Sequence, residues 1–112
     1  VKILLDHNLD WRLFRTLPDH EVKSAMQLRW GALRNGLLLD EAEKEGFSVM
    51  LTADKNIKSQ QRMKGRSIAL IVLRAPDSRR KTHIPMMTEV IEILATIQPG
   101  EVVEVFHEQM KP

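Results

Sequence analysis

Two short apolar runs in this chain, Val1 to Leu5 and Val49 to Thr52, each lead into an aspartate with an asparagine two positions on: Asp6-His7-Asn8 and Asp54-Lys55-Asn56. Runs of this length and composition read as buried strands. Side chains just past the carboxyl ends of parallel strands converge on the ligand crevice of an open α/β sheet, so two carboxylates and two amides are expected to share one mouth. Their oxygens are ligands that Mg²⁺ or Mn²⁺ accept, which makes a divalent-cation site on Asp6 and Asp54 the first chemistry to expect. A single Asp or Asn after a strand is an ordinary helix cap. Two such ends in one small domain, with Thr52 two residues ahead of the second Asp, point to a shared pocket.

Charge is distributed unevenly along the chain. The net charge is only +2, yet Lys55 to Lys81 holds nine Lys or Arg residues (Lys55, Lys58, Arg62, Lys64, Arg66, Arg74, Arg79, Arg80, Lys81) and one acid, Asp77. Cations of this kind neutralise phosphates, and beside an acidic metal site they are what a nuclease needs to hold a nucleic-acid strand. A solvated helix or loop face is the plainer reading of the same run.

Elements that position these residues follow from periodicity. Lys2 to Leu5 is a strand, and Leu9, Leu13, Phe14 and Leu17 recur at helical spacing from an Asn8 cap to Pro18. A short strand near Glu21 to Lys23 precedes an irregular stretch from Ser24 to Arg34. Asn35 then caps a helix, with Leu38 and Ala42 inward, which Gly46 ends. Ser48 to Thr52 is a strand, Lys55 to Met63 a short helix or helical turn, and Ile68 to Leu73 a strand buried on both faces. Ile84 to Ile97 carries the clearest helical pattern, with Pro85 in its first turn. After the Pro99-Gly100 turn, Val102 to Phe106 alternates as an edge strand does.

Strands alternating with helices imply a three-layer α/β domain spanning residues 1–112, a mostly parallel sheet of about five strands with helices on both faces. Because the two Asp-x-Asn ends can meet only if the first and third strands are neighbours, the switch point is expected between them. Zero cysteines exclude disulfides and thiolate metal sites. No apolar run is long enough to span a bilayer and no secretory leader is seen, so the cytoplasm is the expected compartment.

Other constellations are weaker. His7 is expected to point away from Asp6 and Asn8, and His20, His83 and His107 lack metal-ligand spacing. Trp30 reads as a hydrophobic lid before a base-stacking residue, and Gln60 and Gln61 as helix surface or as neutral donors at the crevice. Asp40 and Glu41 belong to an exposed acidic helix face. No Gly-rich segment follows a strand, which excludes a phosphate loop. A phospho-acceptor receiver domain needs paired acids after the first strand and a Lys after the fifth, whereas this chain has Asp6-His7 and, after Val102 to Phe106, only a short tail with Lys111.

The segments LLDHNL, WGALRNGLLLDEAEKEGFSVMLTADKNIKSQQ, GRSIALIVL and IQPGEVVEV, in this order and spacing, resemble the PIN-like family of small bacterial proteins once described only as a domain of unknown function. The resemblance runs through nearly the whole chain. It implies a compact relative of the PIN nuclease fold, whose members are metal-dependent ribonucleases and often toxins of toxin–antitoxin pairs. On that resemblance Asp6 matches the first family acid and Asn8 a frequent Asn. Thr52 and Asp54 match a Thr-x-Asp at the end of the central strand. Asn35 and Asn56 stand where relatives often have further acids.

With two of four carboxylates replaced by amides, one weakly held Mg²⁺ or Mn²⁺ is a more natural expectation than a two-metal centre. Two functional classes follow. One is a ribonuclease in which Asp6 and Asp54 are catalytic and metal-binding, Asn8, Asn35, Thr52 and Asn56 support the pocket, and Lys55, Lys58, Arg62, Arg66, Arg79, Arg80 and Lys81 hold RNA. The other is a PIN-like module of weak or no activity that binds nucleic acid or a partner such as a small antitoxin. Homodimerisation through the edge strand at Val102 to Phe106 is compatible with either.

Overall fold

The computed structural model describes residues 1–112. Five strands, β1 (Lys2–Leu5), β2 (Glu21–Ser24), β3 (Val49–Thr52), β4 (Ala69–Arg74) and β5 (Val102–Phe106), form one sheet in the order β2-β1-β3-β4-β5. Every neighbouring pair is parallel. The reversal of strand order falls between β1 and β3, where Leu5 pairs with Leu51. This is the switch point expected from the two Asp-x-Asn ends.

Successive residues of a strand face opposite sides of a sheet, so buried strands feed two cores. Ile3, Leu5, Val49, Leu51, Ile71 and Leu73 join one cluster with Leu13 and Leu17 and with Val90 and Leu94. Leu4, Met50, Leu70 and Val72 join the other with Leu38, Leu39, Ala42 and Ile57. The protein is a three-layer α/β fold. On the second face lie α1 (Asn35–Lys44) and α2 (Ile57–Gln60); α4 (Met87–Leu94), preceded by the short α3 (Arg80–His83), contributes to the first. Gly46, at φ +84°, ends α1 in the left-handed conformation that glycine adopts without strain, and Phe47 N–H returns to Ala42 C=O at 2.9 Å. No helix is long and apolar enough to cross a membrane.

Three local expectations need correction. Leu9 to Leu17 is not an α-helix capped by Asn8: Trp11–Thr16 is a 3-10 helix, and Asp10 caps it by accepting the Arg12 N–H at 2.9 Å. Asn8 is unavailable as a cap because its side chain is engaged across the sheet. Arg34, not Asn35, is the N-cap of α1, and Asn35 is its first residue with φ +43°, a left-handed conformation that asparagine tolerates. Helical structure after β4 starts at Arg80 rather than Ile84. Pro85 sits in a 3-10 turn (Ile84–Met86) that joins α3 to α4, where its missing N–H costs no hydrogen bond.

Candidate functional site

At the switch point the strand ladder continues one residue past β1, because Asp6 N–H donates to Leu51 C=O at 2.9 Å. This holds Asp6 beside the end of β3. Asp6 is 8% exposed, and its carboxylate accepts the Thr52 hydroxyl at 2.7 Å on Oδ2 and the His7 N–H at 2.7 Å on Oδ1. Thr52 is fully buried, so its hydroxyl must be satisfied internally. It donates its proton to Asp6 and accepts the Asp54 N–H at 3.0 Å. One hydroxyl therefore couples a side chain of the β1 end to the backbone of the β3 end.

A second link runs the same way. Ala53 N–H donates to Asn8 Oδ1 at 3.1 Å, tying the loop after β3 to the loop after β1. Asp54 Oδ1 accepts the Asn56 N–H at 3.0 Å, a turn that aspartate side chains commonly make, and the Asp54 C=O accepts the Ile57 N–H that begins α2. The two Asp-x-Asn segments are thus brought together through Thr52 and Asn8. Asn56 contributes its backbone to this arrangement.

Asn35 lies further out. Its Nδ2 is 3.4 Å from Gln60 Oε1 on α2, while the His7 ring Nε2 lies 3.1 Å from Leu33 C=O just before α1. Followed around, the contacts make a closed circuit: Asp6, His7, Leu33, the start of α1, Asn35, Gln60, α2, Asp54, Thr52 and back to Asp6. Gln60, one of the two glutamines expected as helix surface or as neutral groups at the crevice, takes its place there as an acceptor, whereas the Ala53 N–H carries no sequence signal because its partner Asn8 is remote in the chain. The His7 ring reaches Leu33 C=O and remains exposed.

Electrostatically the mouth is one-sided. Neither Asp6 nor Asp54 has a cationic side chain within ion-pair distance; the chain's seven ion pairs all involve other acids. A nearly buried carboxylate without a counter-charge is costly unless hydrogen bonds or a cation compensate it. The oxygens of Asp6, Asp54, Asn8 and Asn35 are the hard donors that Mg²⁺ or Mn²⁺ accepts, and Mg²⁺ is commonly held by one or two carboxylates plus water. No group of three or more His, Cys, Asp or Glu side chains in the chain is placed to hold a metal ion.

The basic residues divide into two sets. Lys58 and Arg74 both pair with Glu104 on β5, the latter at 2.6 Å, and together they hold the Glu104 carboxyl below its usual range. Arg66 bridges Asp40, at 2.8 Å, and Glu43 on α1, and Arg79 lies 3.9 Å from Asp77. Arg66 precedes β4, so it stands at the opposite end of the parallel sheet from Asp6 and Asp54. Lys55, Arg62, Arg80 and Lys81 make no ion pair. Arg80 begins α3 beyond the carboxyl end of β4 and acts on Asp10, whose carboxyl is lowered to about 2, chiefly by Arg12. Trp30 packs edge-on to Phe47 with ring centroids 6.0 Å apart and covers the second core as a lid.

No family model matches the chain, and neither a curated protein nor a solved structure matches it.

Proposed function

We propose that this protein is a metal-dependent ribonuclease of PIN-like type acting at the β1–β3 switch point. The observation that carries the reading is a nearly buried Asp6 carboxylate that has no cationic partner and is coupled through one hydroxyl to the Asp54 segment. Asp6 and Asp54 would hold a single Mg²⁺ or Mn²⁺, with Asn8 and Asn35 as neutral oxygen donors. Such an ion supplies charge neutralisation at a phosphodiester and lowers the pKa of a water. Thr52 keeps the Asp6 carboxylate in one orientation, Asn8 fixes the loop that carries Asp54, and the circuit through Gln60 sets the width of the mouth. Lys55, Arg62, Arg80 and Lys81, which make no ion pair, are the side chains available for RNA phosphates.

Amides at positions 35 and 56, and a pair rather than a trio of acids at the mouth, favour a second reading: a PIN-like module with little turnover that binds RNA or a small antitoxin protein. A homodimer through β5 would suit either role. Cleavage of single-stranded RNA with and without Mn²⁺ separates them. The ribonuclease reading expects cation-dependent cleavage that Asp54→Ala abolishes and that Asn35→Asp with Asn56→Asp raises. Absence of cleavage in both the wild type and the restored variant leaves the binding module.

A further inference from the structure

Beside the switch point, on the β2 side, the 3-10 helix presents two aromatic rings to solvent. Trp11 and Phe14 stack with centroids 5.8 Å apart and planes 9° from parallel, and Phe14 is 41% exposed although its neighbour Leu13 is fully buried. The Arg15 guanidinium lies 5.9 Å from the Trp11 centroid and 5.8 Å from that of Phe14. These rings form one wall of a surface groove of about 360 Å³, completed by Val22, Lys23, Gln27 and Leu28. Lys23 is the only charged residue in its lining. Gln27 and Leu28 follow the carboxyl end of β2, and β2 pairs with β1, so the groove flanks the strand end that carries Asp6.

We propose that this groove is a base-stacking subsite for single-stranded RNA crossing the β1–β3 mouth. A flat aromatic wall takes the face of any nucleobase, Gln27 offers a neutral donor and acceptor at its edge, and Lys23 and Arg15 supply positive charge for the adjoining phosphates. An added peptide strand is the less suitable occupant. At the carboxyl end of the outer edge of β2 the Ser24 N–H already donates to Gln27 Oε1 at 3.2 Å and the Ser24 C=O accepts the Leu28 N–H at 3.1 Å, so beside the groove the backbone groups such a strand would need are taken. The identity of the ligand rests on the ribonuclease reading; the geometry of the groove does not.

The test uses the full chain carrying Trp30→Phe, so that Trp11 is the one fluorescent indole, titrated with an oligouridylate of about twelve nucleotides and with an abasic ribose-phosphate oligomer of equal length. Base stacking predicts quenching of Trp11 by the oligouridylate alone. It also predicts that Phe14→Ala and Phe14→Leu weaken oligouridylate binding by at least about fivefold while leaving the abasic oligomer unchanged. Phe14→Leu keeps the apolar bulk, which guards against simple loss of folding. Equal quenching by both oligomers, equal weakening of both, or quenching by an extended apolar peptide in place of the oligouridylate would overturn the subsite. Cleavage without Trp11 quenching removes the subsite and leaves the ribonuclease reading; quenching without cation-dependent cleavage does the reverse.

Discussion

Thr52 donates its hydroxyl proton to Asp6 Oδ2 at 2.7 Å, across the boundary where the strand order of the sheet reverses. The Thr52 hydroxyl oxygen in turn accepts the Asp54 N–H at 3.0 Å, so orientation at one strand end is transmitted to the other. Thr52→Val keeps the shape and removes the hydroxyl. It leaves a part-buried N–H and one Asp6 oxygen without this partner, and is expected to cost about 1–3 kcal/mol in urea unfolding. Thr52→Ser, which keeps the hydroxyl, should restore Mn²⁺ affinity that Thr52→Val loses.

Asn8→Ala should act more locally. Its target is the Ala53 N–H, held at 3.1 Å, and the loss is expected to be about 1 kcal/mol. Hydrogen exchange at the Ala53 amide should quicken, with the amides of β4 unchanged. Uniform acceleration across the sheet would show that Asn8 supports the whole fold instead of this one loop.

Paired and unpaired cations should separate in their effects. Arg80→Glu with Lys81→Glu is expected to weaken RNA binding and flatten its dependence on salt, because counterions released from phosphates set that slope. Arg66→Ala should leave RNA binding nearly unchanged and lower stability by about 1–2 kcal/mol, since its guanidinium is committed to Asp40 and Glu43. Filter binding at several salt concentrations, with urea unfolding, distinguishes the two.

His83 gives the protein an acid sensitivity. It is fully buried with neither ring nitrogen hydrogen-bonded, and burial pulls its pKa below the ordinary 6.5, against an opposing effect of Asp77. Above 6.5 both folded and unfolded chains carry the neutral ring and His83 contributes no pH dependence. As pH falls below 6.5 the unfolded chain takes up a proton that the folded one resists, so stability declines. His83→Phe should remove that component of the decline, read as a flatter stability profile as pH falls below 6.5.

Much of this arrangement can be read from local signals. Buried strands announce themselves by apolar runs, and the repeated Asp-x-Asn identifies which two strand ends meet. What local patterns miss is competition for a side chain. Asn8 looks like a helix cap, but Ala53 across the sheet takes its oxygen, and the cap moves to Asp10 with a tighter helix behind it. Asn35 is the first residue of α1 instead of its cap, in a left-handed backbone conformation that its sequence position does not announce, and Arg34 holds the cap position without a side-chain hydrogen bond. The basic run looks uniform in sequence; Glu104, Asp40 and Glu43 divide it only once β5 and α1 are in place.

The central claim is that Asp6 and Asp54 form one cation site. Mn²⁺ binding followed by electron paramagnetic resonance, in the wild type and in Asp6→Asn and Asp54→Asn separately, tests it most directly. The account predicts one bound ion in the wild type and a comparable loss of affinity in each variant, with both variants folded. Unchanged Mn²⁺ affinity in either variant would contradict it.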